Sequence, residues 1–163
     1  SDLLDEVPVD AARWFSNGKP DSPMDFDLGL AVREDSENPV YYVQYAHARL
    51  CSLMKNLEAE GDTVPAAQDV DMALVAGEAE TNLIKQLAAY CEEVRMAGRD
   101  YDPSHINRYL VELAGAFHKF YTVCRIKGEE SHLLAARLKL AASARTVLKN
   151  GMDLLGVTAP EKM

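Results

Sequence analysis

In the segment YYVQYAHAR, Tyr42, Tyr45 and Arg49 are spaced i, i+3, i+7. On a helix that spacing puts two phenols and a guanidinium on one face, beside the apolar stripe of Val43, Ala46 and Leu50 rather than inside it. Such a row suits stacking on unpaired nucleic-acid bases, because every base has a π-face and arginine adds a phosphate or cation–π contact. The same spacing also fits tyrosines packed at a core margin with their hydroxyls in water. Tyr121 and Arg125, spaced i, i+4, repeat the chemistry beside the seam of Phe117, Phe120 and Cys124. Alone, that second pair also fits an ordinary surface contact.

Other chemistries find no residues here. His47, His105, His118 and His132 come without HxxxH, HExxH or a cysteine at ligand spacing, so they read as packed or exposed side chains rather than metal ligands. No GxGxxG, GxxxxGK or GxSxG occurs, and nothing nominates a nucleophile or a general base. The acidic run DSPMDFD at 21–27 lacks EF-hand spacing and reads as an ordered loop. Cys51, Cys91 and Cys124 are far apart with no CxxC pair, which excludes a disulfide framework and predicts three reduced, buried thiols.

The elements that must position the aromatic residues are helices. Gly or Pro stands at each break and alternating strand patterns are nearly absent, which predicts an all-α helical bundle. The opening run from Asp2 to Phe15 ends at SNGKPDSP, a linker or boundary, and a short helix is expected over 27–33. Asn38-Pro39 opens the first long helix, with Asn38 as its cap, and Gly61 ends it. A polar loop follows over 61–71. The next run, through Leu83, Leu87, Tyr90 and Val94, is expected to close on a left-handed Gly98. From Asp102-Pro103-Ser104 a further helix carries Ile106, Leu110, Leu113, Phe117, Phe120 and Cys124 at intervals of 4, 3, 4, 3 and 4, the spacing of a bundle seam, up to Gly128. Glu129 and Glu130 suit the positive end of the last helix. That helix shows two neighbouring stripes, Leu134, Leu138, Ala141, Leu148, Met152 and Leu133, Leu140, Ala144, Val147, Leu154, so much of its circumference should be covered.

At 163 residues and 48% hydrophobic the chain can bury a core without staples. No apolar window approaches a membrane span, and seven acidic groups in the first thirty positions exclude a signal peptide, so a cytoplasmic protein is expected. A net charge of −9 argues against simple adhesion to nucleic acid. The charge is uneven, however: residues 1–98 hold 7 basic and 19 acidic side chains, and residues 99–150 hold 9 and 5. An anionic partner should dock mainly on the later half.

Five blocks, in order, carry a resemblance: VDAARWF at 9–15, DSPMDFDLGLA at 21–31, ENPVYYVQYAHARL at 37–50, YLVELAGAFHKFYTVCRIKG at 109–128 and ARLKLAASARTVLKNGMDLLGVTAPEKM at 136–163. They cover nearly the whole chain, which resembles the C-terminal region of bacterial arginyl-tRNA synthetases, class I aminoacyl-tRNA synthetases. The resemblance implies a helical DALR anticodon-binding domain over 21–163, with 1–20 a remnant following the catalytic domain. It implies tRNA for arginine as partner through its anticodon loop, with the chain's own catalytic domain as a second partner, and a monomer. In that family catalysis needs the HIGH and KMSK sequences, which cradle ATP. Neither is present, so the chain resembles a piece cut just past the catalytic loop, expected to be inactive alone and to bind no cofactor, ATP with Mg serving the full-length enzyme.

The resemblance also assigns roles. Tyr42, Tyr45 and Arg49 match residues lining the anticodon-loop pocket, and Tyr121 matches an aromatic contact on the later helix. Met163 matches a residue whose main-chain carboxylate closes the site, which would make it a natural terminus. Arg125 departs from members with tryptophan there, and implies phosphate binding in place of stacking. Trp14 and Phe15 would pack on the absent catalytic part and be exposed or refolded without it. Two other readings stand beside this one: a helical protein-interaction module without RNA binding, its tyrosines in a partner groove, and the equivalent domain of a sister synthetase, which YVQYAHAR and APEKM disfavour.

Overall fold

The computed structural model describes residues 6–18 and 26–163. Six α-helices account for most of them: α1 (Val9–Gly18), α2 (Leu28–Ala31), α3 (Pro39–Ala59), α4 (Glu78–Asp100), α5 (Ser104–Val123) and α6 (Ser131–Leu155). Single 3-10 turns at Ala67–Asp69 and Met72–Leu74 punctuate the loop between α3 and α4. No strand occurs among the described residues. No described helix is long and apolar enough to cross a membrane.

The 3,4 spacing of α5 explains its central place. Leu110, Leu113, Phe117 and Phe120 are fully buried, packed with Val43, Leu50 and Leu57 of α3 and Leu138, Leu148 and Met152 of α6. α5 touches α1, α3, α4 and α6, and pairs most extensively with α4 as a helical hairpin joined by three residues. At Gly151 the backbone of α6 approaches Leu110 so closely that a Cβ would lie 2.5 Å from Leu110 Cδ2.

Helix ends fall near the expected places, with informative departures. Asn38 begins α3, yet its side chain caps nothing; Nδ2 donates to the carbonyls of Arg33 (2.8 Å) and Ala31 (3.3 Å), fastening the turn after α2 onto α3. The left-handed residue after α4 is Tyr101 (φ 52°), not Gly98. The helix runs on past Gly98 because the N–H groups of Tyr101 and Asp102 both return to the Ala97 carbonyl, and the Asp102 carboxylate accepts the Ser104 N–H to start α5. α5 ends at Val123, five residues before Gly128. At α6 the Glu130 carboxylate accepts the N–H groups of His132 and Leu133, the favourable use of an acid at that end. On α6 only the first of the two stripes is sealed: Leu154 is exposed, and Leu133 and Val147 are half-buried.

Two further expectations are corrected. Only Cys124 is buried; Cys51 is half-buried and Cys91 exposed, because each lies at the edge of its helix's apolar face. Of the two outcomes expected for Trp14, exposure is ruled out, because the side chain is buried. α1 packs on α3, α5 and α6, the Trp14 carbonyl accepts from Asn107 Nδ2 at 3.0 Å, and Phe15 meets Phe26 edge to face at 5.6 Å. From α1, Arg13 Nη1 donates to the Gly156 carbonyl (2.7 Å) and Asn17 Nδ2 to the Leu155 carbonyl (3.2 Å), satisfying carbonyls that the end of α6 leaves free. The boundary expected near residue 20, and most of DSPMDFD, lie outside the described residues.

Candidate nucleic-acid interface

The arithmetic of the α3 helix brings Tyr42, Tyr45 and Arg49 to the side that faces α5. There the aromatic residues of the two helices meet. The Tyr42 ring centroid is 5.0 Å from that of His118, and Tyr45 lies 5.9 Å from His118 at 27° between planes. Tyr41 stacks on Tyr45 at 6.4 Å, nearly parallel. At the other end the Arg49 guanidinium sits over Tyr121, Cζ to centroid 4.0 Å, and 6.0 Å from Tyr45. Phe117, fully buried, supports Tyr121 from below at 5.8 Å. The four residues singled out from the sequence thus form one strip across α3 and α5.

Exposure grades along the strip. Tyr45 is 41% exposed, whereas Tyr42, Arg49 and Tyr121 are half-buried. Tyr42 points its hydroxyl at Gly115, where a Cβ would stand 3.6 Å away, and burial pushes its phenol pKa up. Burial, and then the Arg49 cation, hold the His118 imidazole below its ordinary value. A neutral ring therefore lies beneath the tyrosines, its Nε2 buried without a hydrogen-bond partner. Neutral imidazole is what a site shared with a guanidinium requires, since a second cation there would be repelled.

Beyond Tyr121 the strip opens into a groove of two adjoining hollows that share Leu53, Tyr121 and Lys127, with Arg125 lining one and Arg49 the other. Arg125 is not on the helix of Tyr121, as i, i+4 spacing implied; it follows the end of α5, in the loop over 124–130. Its Nε donates to the Lys127 carbonyl at 2.8 Å, and its guanidinium folds over Gly128. Gly128 has φ +76°, the left-handed conformation that favours glycine, and the Arg125 guanidinium lies in the space beside it. Lys127 pairs with Glu60 at the rim.

No described hydrogen bond ties Met163 to the strip. The tail before it runs along another face of α3: Gln44 Nε2 donates to the Thr158 carbonyl (3.0 Å), and His47 Nδ1 to the Pro160 carbonyl (2.9 Å). A carbonyl can only accept, so Nδ1 carries the proton. His47 follows Tyr45 by two residues, about 200° around the helix. Met163 itself is exposed, and no described hydrogen bond or ion pair joins it to Tyr45 or Arg49.

Sequence reasoning missed three members of the site. His118 was grouped with the other histidines, although it precedes Tyr121 by three residues and so shares its face. Tyr41 precedes Tyr45 by four. Lys127 carried no local signal, since its place depends on how the loop folds back. No group of three His, Cys, Asp or Glu suited to a metal ion occurs among the described residues.

The helical bundle has the fold of the anticodon-binding domains of arginyl-tRNA synthetases. The model of the family described as the DALR anticodon binding domain matches residues 43–163, and the chain belongs to that family. It is 50% identical over 163 residues to an arginine–tRNA ligase of Acetivibrio thermocellus, an alignment that covers 99% of this chain and 29% of that protein. Among solved structures it resembles a Campylobacter jejuni protein assigned as an arginyl-tRNA synthetase (TM-score 0.87, 30% identity, 100% of this chain and 35% of that one). It also resembles the arginyl-tRNA synthetase of Thermus thermophilus (TM-score 0.80, 28% identity, 94% and 26%). The chain spans under a third of the length of the curated relatives it matches.

Proposed function

We propose that this chain reads the anticodon loop of tRNA for arginine, as the helical C-terminal region of an arginine–tRNA ligase. The observation that carries the reading is the convergence of Tyr42, Tyr45, Arg49 and Tyr121 from two helices onto one solvent-facing strip. Arginine codons all have G in the middle, so every arginine anticodon has C there. A splayed cytosine stacked on the strip and hydrogen-bonded at its Watson–Crick edge would separate arginine tRNAs from most others. Arg125 and Lys127 are suited to the flanking phosphates. The Met163 carboxylate is the remaining candidate contact, from the tail that lies along α3.

The parent protein would attach arginine to its tRNA in the cytoplasm using ATP with Mg, as a monomer whose catalytic domain packs on this one. Neither HIGH nor KMSK occurs in the 163 residues, and among the described residues no group of three His, Cys, Asp or Glu suits a metal ion, so the catalytic step would belong to the rest of the parent protein. The chain should give no ATP–pyrophosphate exchange by itself; a signal would overturn that part of the proposal.

The decisive experiment is a fluorescence-anisotropy titration with an arginine anticodon stem-loop and with the same stem-loop carrying another middle base. Preference for cytosine by a factor of about ten is expected, and Tyr45→Ala should cost about 1–3 kcal/mol of binding, the usual worth of one stacked base. Equal affinity for both RNAs, or an unchanged Tyr45→Ala variant, would exclude the reading.

A further inference from the structure

The loop carrying Arg125 and Lys127 is held from beneath by a buried ion pair. Arg137 of α6 donates Nη1 to the Arg125 carbonyl at 2.5 Å and Nε to Glu80 Oε1 of α4 at 2.7 Å, with a Glu129 oxygen 3.6 Å from Nη1. The other oxygen of Glu80 accepts the Gly77 N–H at 2.8 Å, at the start of α4. Glu80 is 3% exposed and the Arg137 side chain 15%. Neither lines the groove. Between the two loop cations Ile126 is buried, so Arg125 and Lys127 stand on the outer side of a segment whose middle is anchored.

Burying such a pair has a desolvation cost that its attraction scarcely repays, and an apolar pair of similar volume would stabilise a fold as well. The geometry gives the pair a different use. One guanidinium joins the first turn of α4 to a single loop carbonyl, and that carbonyl belongs to the residue whose side chain reaches over to the Lys127 carbonyl.

We propose that Glu80 and Arg137 are positioning residues for RNA binding: they fix the main chain at Arg125 and thereby set the Arg125 guanidinium and the Lys127 ammonium along the groove for phosphates of a bound RNA loop. This rests on the anticodon-loop reading above. Lys127 is available for that role, because its partner Glu60 is exposed and a surface pair of this kind is readily exchanged.

The test is the salt dependence of binding to the arginine anticodon stem-loop by wild type, Arg137→Lys, Lys127→Ala and the double variant, with helicity and melting recorded for each. Lysine keeps the charge facing Glu80 but is too short, and lacks the fork, to hold the Arg125 carbonyl as well. Arg137→Lys should weaken binding about three- to tenfold and flatten the logarithmic salt slope by roughly 0.7–1.4, one or two phosphate contacts on a single strand. Its preference for cytosine should persist, because the tyrosine strip is untouched. Lys127→Ala should cost less in the Arg137→Lys background than in wild type. If Arg137→Lys melts early, Glu80→Gln answers the same question at lower temperature. A folded variant with the wild-type slope, or a Lys127→Ala effect equal in both backgrounds, overturns the positioning role alone. Wild type that binds neither RNA overturns the anticodon reading and this inference with it.

Discussion

The Arg49 guanidinium carbon lies 4.0 Å from the centroid of the Tyr121 ring, close enough to join α3 to α5 through a cation–π contact at the surface of the site. Such a contact contributes about 0.5–1 kcal/mol when exposed. It also holds both groups in the positions a base or phosphate would meet, so less ordering remains to be done on binding. Arg49→Ala and Tyr121→Ala should therefore each weaken stem-loop binding by about tenfold or more. Their effects should not add, because either change releases the other group. Additive losses in a double-mutant cycle measured by anisotropy would show that the two act separately.

The strip was legible because its members are few and close in sequence: Tyr42, Tyr45 and Arg49 need only the helix period to share a face. Tyr121 needed the further inference that its helix crosses theirs, which the apolar seam of α5 supports. The end of α4 was less readable. Gly98 is the residue type that favours a left-handed cap, but the hydrogen bonds to the Ala97 carbonyl place that conformation at Tyr101, whose ring meets no obstruction in solvent. Trp14 was assigned to a missing partner, since a helical stripe says what is apolar and not what covers it. Arg137 and Lys127 depend on contacts between helices far apart in sequence, and no local pattern announces those.

His118 should make stability fall in mild acid. Burial, followed by the charge of Arg49, keeps its pKa in the folded chain below the ordinary histidine value. The groups facing it are Arg49, Tyr42 and Tyr45 of α3, with Phe117 on its own helix. In the unfolded chain the imidazole gains its proton as pH falls through about 6.5, before the folded chain does. Stability due to the neutral ring is thus complete above that pH and is lost as pH drops towards the folded value. Thermal melts of wild type should shift down between about pH 7.5 and 5.5, and those of His118→Phe should shift less. Parallel curves for the two proteins would refute this account.

Gly151 tests the packing that brings α5 and α6 together. A methyl group there would stand 2.5 Å from Leu110 Cδ2 and 3.1 Å from Cγ, and Leu110 is fully buried. Overpacking of this kind costs about 1–3 kcal/mol, and the better helix propensity of alanine returns roughly 1 kcal/mol of it. Gly151→Ala should lower the melting temperature by about 2–4 °C per kcal/mol lost. Helicity at low temperature should stay unchanged. A melting temperature at or above wild type would mean that α6 can shift away from α5 without loss.

The acidic total sets a limit on how RNA can bind. A net charge of −9 argues against adhesion through the whole surface, and the cations suited to phosphates are those beside the strip: Arg49, Arg125 and Lys127. A single-stranded loop releases about 0.7 counterion per phosphate neutralised, so three or four contacts give a logarithmic salt slope of roughly −2 to −3. The middle-base preference should be nearly independent of salt, because stacking and base-edge hydrogen bonds release few counterions. Affinity measured at several salt concentrations for both stem-loops separates the two contributions. A slope much steeper than −3, or a preference that fades with added salt, would place the RNA on the basic second half of the chain at large instead of on the strip of Tyr42, Tyr45, Arg49 and Tyr121.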